Sequence, residues 1–134
     1  MSNTKATGVA YMDPEFSTCY ATEEIGYSAA AQGTVTQLTS KSTAVTLDKS
    51  CGRITMNNAS LATATNATFT FNNALISVND SVLLTISGGQ ATPGSYNVFA
   101  NSLAAGSVSI TLRNISGGTL SEAVVINYAI IHGA

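Results

Sequence analysis

Few residues in this chain can move protons or hold an electrophile. His132 is the single histidine, and Cys19 and Cys51 are the two thiols in 134 residues. A Ser-His-acid hydrolase needs an imidazole that takes a proton from a serine and returns it to the leaving group. No G-x-S-x-G turn precedes His132, and its place near the end of the sequence suits a loose tail. Neither cysteine has a histidine beside it or forms a CxxC pair, so the spacing supports neither a thiol nucleophile nor a zinc site. Calcium needs a dense acidic loop, whereas Asp48 and Asp80 stand almost alone after the first 32 residues. Gly88-Gly89 and Gly117-Gly118 lack the lysine and the following helix of a phosphate loop. The expectation is a protein without catalysis, metal or cofactor. Cys19 and Cys51 read as buried or idle thiols, with a single disulfide between them as the alternative.

The composition narrows the partners. Only 9% of the residues are charged, against roughly 25% in an ordinary soluble domain, while 45% are hydrophobic. Ser, Thr and Asn make up about a third of the chain, so the polar surface is mostly neutral hydroxyl and amide. The length suits one domain with a substantial core. Five basic against seven acidic residues, a formal charge of −2, leave no cationic footprint for a phosphate backbone, which excludes nucleic acid as a partner. The longest apolar stretch, 123–131, is broken by Asn127 and is less than half the ~20 residues that cross a bilayer as a helix. No membrane partner is expected. The first eight residues carry no basic-then-apolar export signal, so synthesis in a reducing cytosol is expected. The N-x-Ser/Thr triplets at Asn58, Asn66, Asn79 and Asn114 are what chance produces in such a composition.

The elements that would carry any function divide at Gly33. Residues 1–32 hold four of the seven acids and four of the nine aromatics, Tyr11, Phe16, Tyr20 and Tyr27, without sustained periodicity. Residues 22–32 permit a short helix with Thr22 as N-cap and Glu23 and Glu24 near its positive end, weakened by Gly26. We read 1–32 as an extended arm. Its rings have too few local partners for a core of their own; they serve as anchors on a partner or fold back onto the body.

Residues 33–134 alternate in short runs. Val35, then Val45 and Leu47, Ile54 and Met56, Phe69 and Phe71, and Val82, Leu84 and Ile86 recur at every second position. Tyr96 and Val98, then Val108, Ile110 and Leu112, and finally Val124, Ile126, Tyr128 and Ile130 complete the set. Asn79-Asp80, Gly88-Gly89, Pro93-Gly94, Ala105-Gly106 and Gly117-Gly118 fall between the runs, where turns need them. About eight strands at this spacing predict an all-β, jelly-roll-like antiparallel sandwich. The last run is apolar on both faces, which places it centrally in the domain or between copies of it. Val125, Tyr128, Ile130 and Ile131 are therefore candidate subunit-interface residues, together with Arg113. Arg113 is nearly the only charge between Asp80 and Glu122, and it suits an ion pair with Glu122 or with another subunit's carboxylate. Lys41 and Lys49 read as solvated surface residues.

Three segments carry a resemblance: GTVTQLTSKSTAVTL at 33–47, CGRITM at 51–56 and ITLRNISGGTLSE at 110–122. Together they resemble a β domain found in structural proteins of tailed bacteriophages, over roughly residues 33–131. The resemblance implies a sandwich, commonly trimeric, of the kind used in capsid decoration (cement) proteins, head fibres and fibre tips. With no heptads or shaft repeat in the sequence, a decoration role is expected first. The implied partners are the major capsid protein and two further copies of the chain, in a homotrimer on the capsid exterior. The arm anchors Tyr11, Phe16, Tyr20 and Tyr27 would grip neighbouring subunits. The alternative is an adhesin-type module, with Tyr96, Phe99 and Tyr128 as rings for a carbohydrate or receptor.

Overall fold

Alternation of β-branched or aromatic residues with small polar ones produces eight strands, because each strand can then bury one face and hydrate the other. The computed structural model describes residues 16–133. The strands are β1 (Gln32–Thr36), β2 (Val45–Thr46), β3 (Cys51–Thr55), β4 (Asn66–Asn72), β5 (Ser81–Gly88), β6 (Tyr96–Ala104), β7 (Ser107–Asn114) and β8 (Val125–Ile131). They form two four-stranded sheets, ordered β1-β3-β8-β5 and β2-β4-β7-β6. The protein is an all-β sandwich, as its periodicity predicts. In β4, Ala67, Phe69 and Phe71 point inward while the intervening threonines face out. Ile54, Phe71, Ile110, Leu112, Val124, Ile126 and Ile130 fill the space between the sheets. Phe71 and Tyr128 meet edge-on across it, with ring centroids 4.7 Å apart.

Two expectations about local structure are corrected. The sheets are mixed: β1 runs parallel to β3 and β2 parallel to β4, while the other four strand pairings are antiparallel. Parallel neighbours need a long crossover, and here each crossover passes through the opposite sheet, β1 reaching β3 by way of β2. Close pairing of β1 with β3 depends on Gly33 facing Gly52, since a Cβ on Gly52 would lie 2.3 Å from the Gly33 carbonyl oxygen. The helix allowed over 22–32 is reduced to one 3-10 turn, Ala29–Ala31. So short a segment, interrupted by Gly26 and with every residue from 16 to 30 exposed, has no packing to offset the cost of helix nucleation.

The doubly apolar β8 takes the central position, between β3 and β5. Tyr128 and Ile130, expected at a subunit interface, point into the domain's own core and are buried there. Their neighbours Val125 and Ile131 occupy the outer face, half-buried and exposed respectively.

Strand directions assign every loop to one of two ends. Loops 37–44, 56–65, 89–95 and 115–124 gather at one. The arm, loops 47–50, 73–80 and 105–106, and the segment after β8 gather at the other.

Candidate functional site at the arm-bearing end

The arm leaves the body where β1 begins. Phe16 is 62% exposed, Tyr20 90% and Ile25 89%. Tyr27, at 40%, behaves differently: its hydroxyl donates to the Ile130 carbonyl at the end of β8. The root of the arm has two further ties, Lys49 Nζ donating to the Ala30 carbonyl at 3.1 Å and Cys51 Sγ donating to the Ala31 carbonyl at 3.8 Å. The expected anchors therefore divide. Tyr27 fastens the arm to its own domain, Phe16 and Tyr20 stand free of the core, and Tyr11 lies outside the described residues. Cys19 is an exposed free thiol and Cys51 a half-buried one.

Three apolar side chains of the body are exposed at the same end: Leu75 and Val78 in loop 73–80, and Ile131 at the end of β8. Sequence reasoning missed Ile25, Leu75 and Val78, having looked only for rings in the arm. The available signal was the run Ala74-Leu75-Ile76-Ser77-Val78, which holds more apolar residues than a solvated loop needs.

Hydrogen bonds hold this apolar loop in place. Asn73 Nδ2 and the Tyr128 hydroxyl both donate to the Lys49 carbonyl, at 2.7 and 3.0 Å. Asn73 Oδ1 accepts the Leu75 N–H, and Asp48 Oδ1 accepts the Ala74 N–H. Burial first, and the nearby Cys51 and Asp48 after it, push the Tyr128 phenol up to about 12, so it remains a donor across the physiological range. At the other side of the loop the Asp80 carboxylate is closed to solvent and accepts Ser77 N–H, Ser77 Oγ–H and Gly133 N–H at 2.8, 2.8 and 3.1 Å. His132 Nδ1 lies 3.0 Å from its second oxygen. The Ser77 amide contributes most to holding Asp80 well below its ordinary 3.8, at about 2; the Ser77 hydroxyl, Gly133 and His132 add to this, while burial opposes it. His132 is thus fastened to the body, not frayed. Ser77 Oγ contacts the carboxylate rather than the imidazole, so these residues lack the serine-to-histidine contact of a hydrolase.

The opposite end is closed by polar side chains. Lys41, expected on the surface, is only 3% exposed, and its Nζ donates to the Asn57 and Glu122 carbonyls. Burial lowers its pKa, partly offset by the Glu122 charge. Gln37 Nε2 donates to the Lys41 and Thr43 carbonyls while its Oε1 accepts Asn57 N–H. Asn114 Nδ2 donates to the Leu61 and Gly118 carbonyls. Arg113 does not meet Glu122: its Nη1 donates to Asn66 Oδ1 at 3.2 Å, on the adjacent strand, and Glu122 Oε1 accepts Ala91 N–H at 2.7 Å. Arg113 thus reaches the start of β4, while Glu122 reaches loop 89–95.

Among the described residues, no three His, Cys, Asp or Glu side chains gather as they would around a metal ion. A surface depression of about 470 Å³ on the outer face of β1, β3 and β8 is lined by Gln32, Thr34, Cys51, Arg53 and Asn127, and Arg53 Nε is already engaged with Asn127 Oδ1. No described helix is long and apolar enough to cross a membrane. No family model matches the chain, and neither a curated protein nor a solved structure matches it.

Proposed function

We propose that the chain is a structural docking protein, a capsid decoration protein that binds the outside of a phage head as a homotrimer and braces its lattice. The observation that carries this reading is the exposure of Phe16, Tyr20 and Ile25 in an arm rooted at the end of the body where Leu75, Val78 and Ile131 are also exposed. Large apolar side chains held in solvent gain by burial against a partner, and aromatic anchors contribute disproportionately to binding. The partner is a surface that accepts rings and aliphatic side chains, namely the major capsid protein. Three arms from one trimer engage neighbouring capsid subunits together, and modest contacts then multiply through effective concentration. Preferential binding to the assembled lattice stabilises it by mass action. Tyr96 and Tyr128 are buried, which leaves Phe99 as the one exposed ring of the three that the adhesin alternative would use.

The test is sedimentation of the purified protein with decoration-free heads and, separately, with host cells. Sedimentation with heads, reduced at least tenfold in affinity by combined Tyr20→Ala and Ile25→Ala substitution, is expected. Sedimentation with cells alone overturns the proposal. Sedimentation equilibrium is expected to give the mass of three chains; a monomer would remove the trimer from the account.

A further inference from the structure

The closed end also gathers an amine, a carboxamide and a carboxylate, a grouping independent of the docking reading. Lys41, in loop 37–44, is 3% exposed, and its Nζ lies 2.5 Å from the Asn57 carbonyl oxygen and 2.6 Å from that of Glu122. These partners are neutral. Burial lowers the Lys41 pKa, with the Glu122 charge opposing, so the uncharged amine is easier to reach here than on a solvated lysine. A desolvated lysine amine is a nucleophile.

The Asn57 side chain is an electrophile within reach of it. Four bonds separate Asn57 Cγ from the carbonyl oxygen that Nζ already touches, a span of at most about 5 Å that rotation of the long lysine stem covers. The carboxamide is held at both atoms: Oδ1 accepts the Ala59 N–H at 2.8 Å, and Nδ2 donates to the Leu38 carbonyl at 3.1 Å. The first bond polarises the carbonyl and is placed to stabilise an oxyanion. The second directs Nδ2 toward Leu38, which is 84% exposed, so a leaving group there has a path to solvent. Glu122 supplies the base. Its carboxylate is fixed by the Ala91 N–H at 2.7 Å, and its charge is felt by Lys41 and by the Tyr96 phenol, which burial raises first.

We infer that Lys41 and Asn57 join in an intramolecular isopeptide bond, with Glu122 as the proton carrier. The free amine adds to Asn57 Cγ, Glu122 takes a proton from Nζ and delivers it to Nδ2, and ammonia leaves. The Nζ–Cγ bond replaces the Cγ–Nδ2 bond, so neither an oxidant nor a further reactant is needed. What the fold contributes is proximity: side chains 16 positions apart, on different loops, are held together long enough for a slow exchange of amides. The product ties loop 37–44 to loop 56–65 covalently.

Intact-mass spectrometry of the purified full chain tests this. A species about 17 Da lighter than the sequence is expected, the mass of the ammonia lost, and peptide mapping is expected to find one branch joining Lys41 to Asn57. Glu122→Gln keeps an acceptor for the Ala91 N–H, and in that variant, shown folded by hydrogen exchange, the cross-linked fraction is expected to fall at least roughly tenfold. A parent mass equal to that of the sequence overturns the inference. So does a loss of about 18 Da with Lys41 joined to the Glu122 carboxyl, a branch to Gln37 in place of Asn57, or a loss of about 17 Da that survives in Lys41→Met. Undiminished cross-linking in Glu122→Gln contradicts the proton-carrying role.

Discussion

The two ends of the sandwich solve opposite problems with the same supply of neutral residues. At the closed end, Gln37, Lys41 and Asn114 turn inward and bond to backbone carbonyls and amides of neighbouring loops. At the arm-bearing end, polar side chains such as Asn73, Asp48 and Asp80 also bond to backbone, but they do so to hold apolar side chains outward. With so few charges, solubility and specificity depend on where hydroxyls and amides are placed. Leu38 and Ile115 are exposed at the closed end as well, but only at the arm-bearing end do exposed aliphatic side chains of the body share their end with an arm that carries exposed Phe16, Tyr20 and Ile25.

The comparison can be broken first at Lys41. Replacing it by Met leaves the Asn57 and Glu122 carbonyls unpaired inside the closed end, and chemical denaturation is expected to show a loss of about 3 kcal/mol. A change below about 0.5 kcal/mol would mean that solvent reaches these groups and that the end is not closed. Next, Gly52→Ala forces β1 away from β3 at the root of the arm. A destabilisation of about 2 kcal/mol is expected, together with faster exchange of the β1 amides.

Asp80 sharpens the comparison through pH. Its folded pKa, about 2, lies below the ordinary 3.8, so its contribution to stability is complete above about pH 4 and is lost as the pH falls toward 2. Asp80→Asn is expected to flatten the stability profile in that window. A profile as steep as that of the parent would assign the acid sensitivity to other carboxylates. The smallest effect is expected from Tyr27→Phe. It removes one hydrogen bond between the arm and Ile130 and should cost no more than about 1 kcal/mol while loosening the arm root in exchange measurements.

How much of this was legible depended on the range of the signal. Strands were legible because a two-residue period is local; β4 announces itself in Thr68-Phe69-Thr70-Phe71. The parallel pairing of β1 with β3 was not, since the period is the same in either direction and only the route through the other sheet decides it. The centrality of β8 was one of two readings of its double apolar face, and the choice between them placed Tyr128 and Ile130 in the core. Lys41 misled because its acceptors belong to residues 16 and 81 positions away. The arm's rings admitted two readings, anchors on a partner or packing back onto the body, and composition does not choose between them: Tyr27 reaches back to Ile130 while Phe16 and Tyr20 remain exposed. Leu75 and Val78 escaped because their exposure is imposed by Asn73 and Asp48, bonded to a loop fold that no periodicity describes.

Docking at the arm-bearing end is open to direct test by altering the two ends of the body in turn. Two double variants test it side by side in binding to decoration-free heads: Tyr20→Ala with Ile25→Ala in the arm, and Leu38→Ala with Ile115→Ala, which removes the large exposed apolar side chains of the closed end. The first is expected to lose at least tenfold in affinity while remaining folded, and the second to bind as the parent does. Equal losses in both, or a loss confined to the second, would contradict it.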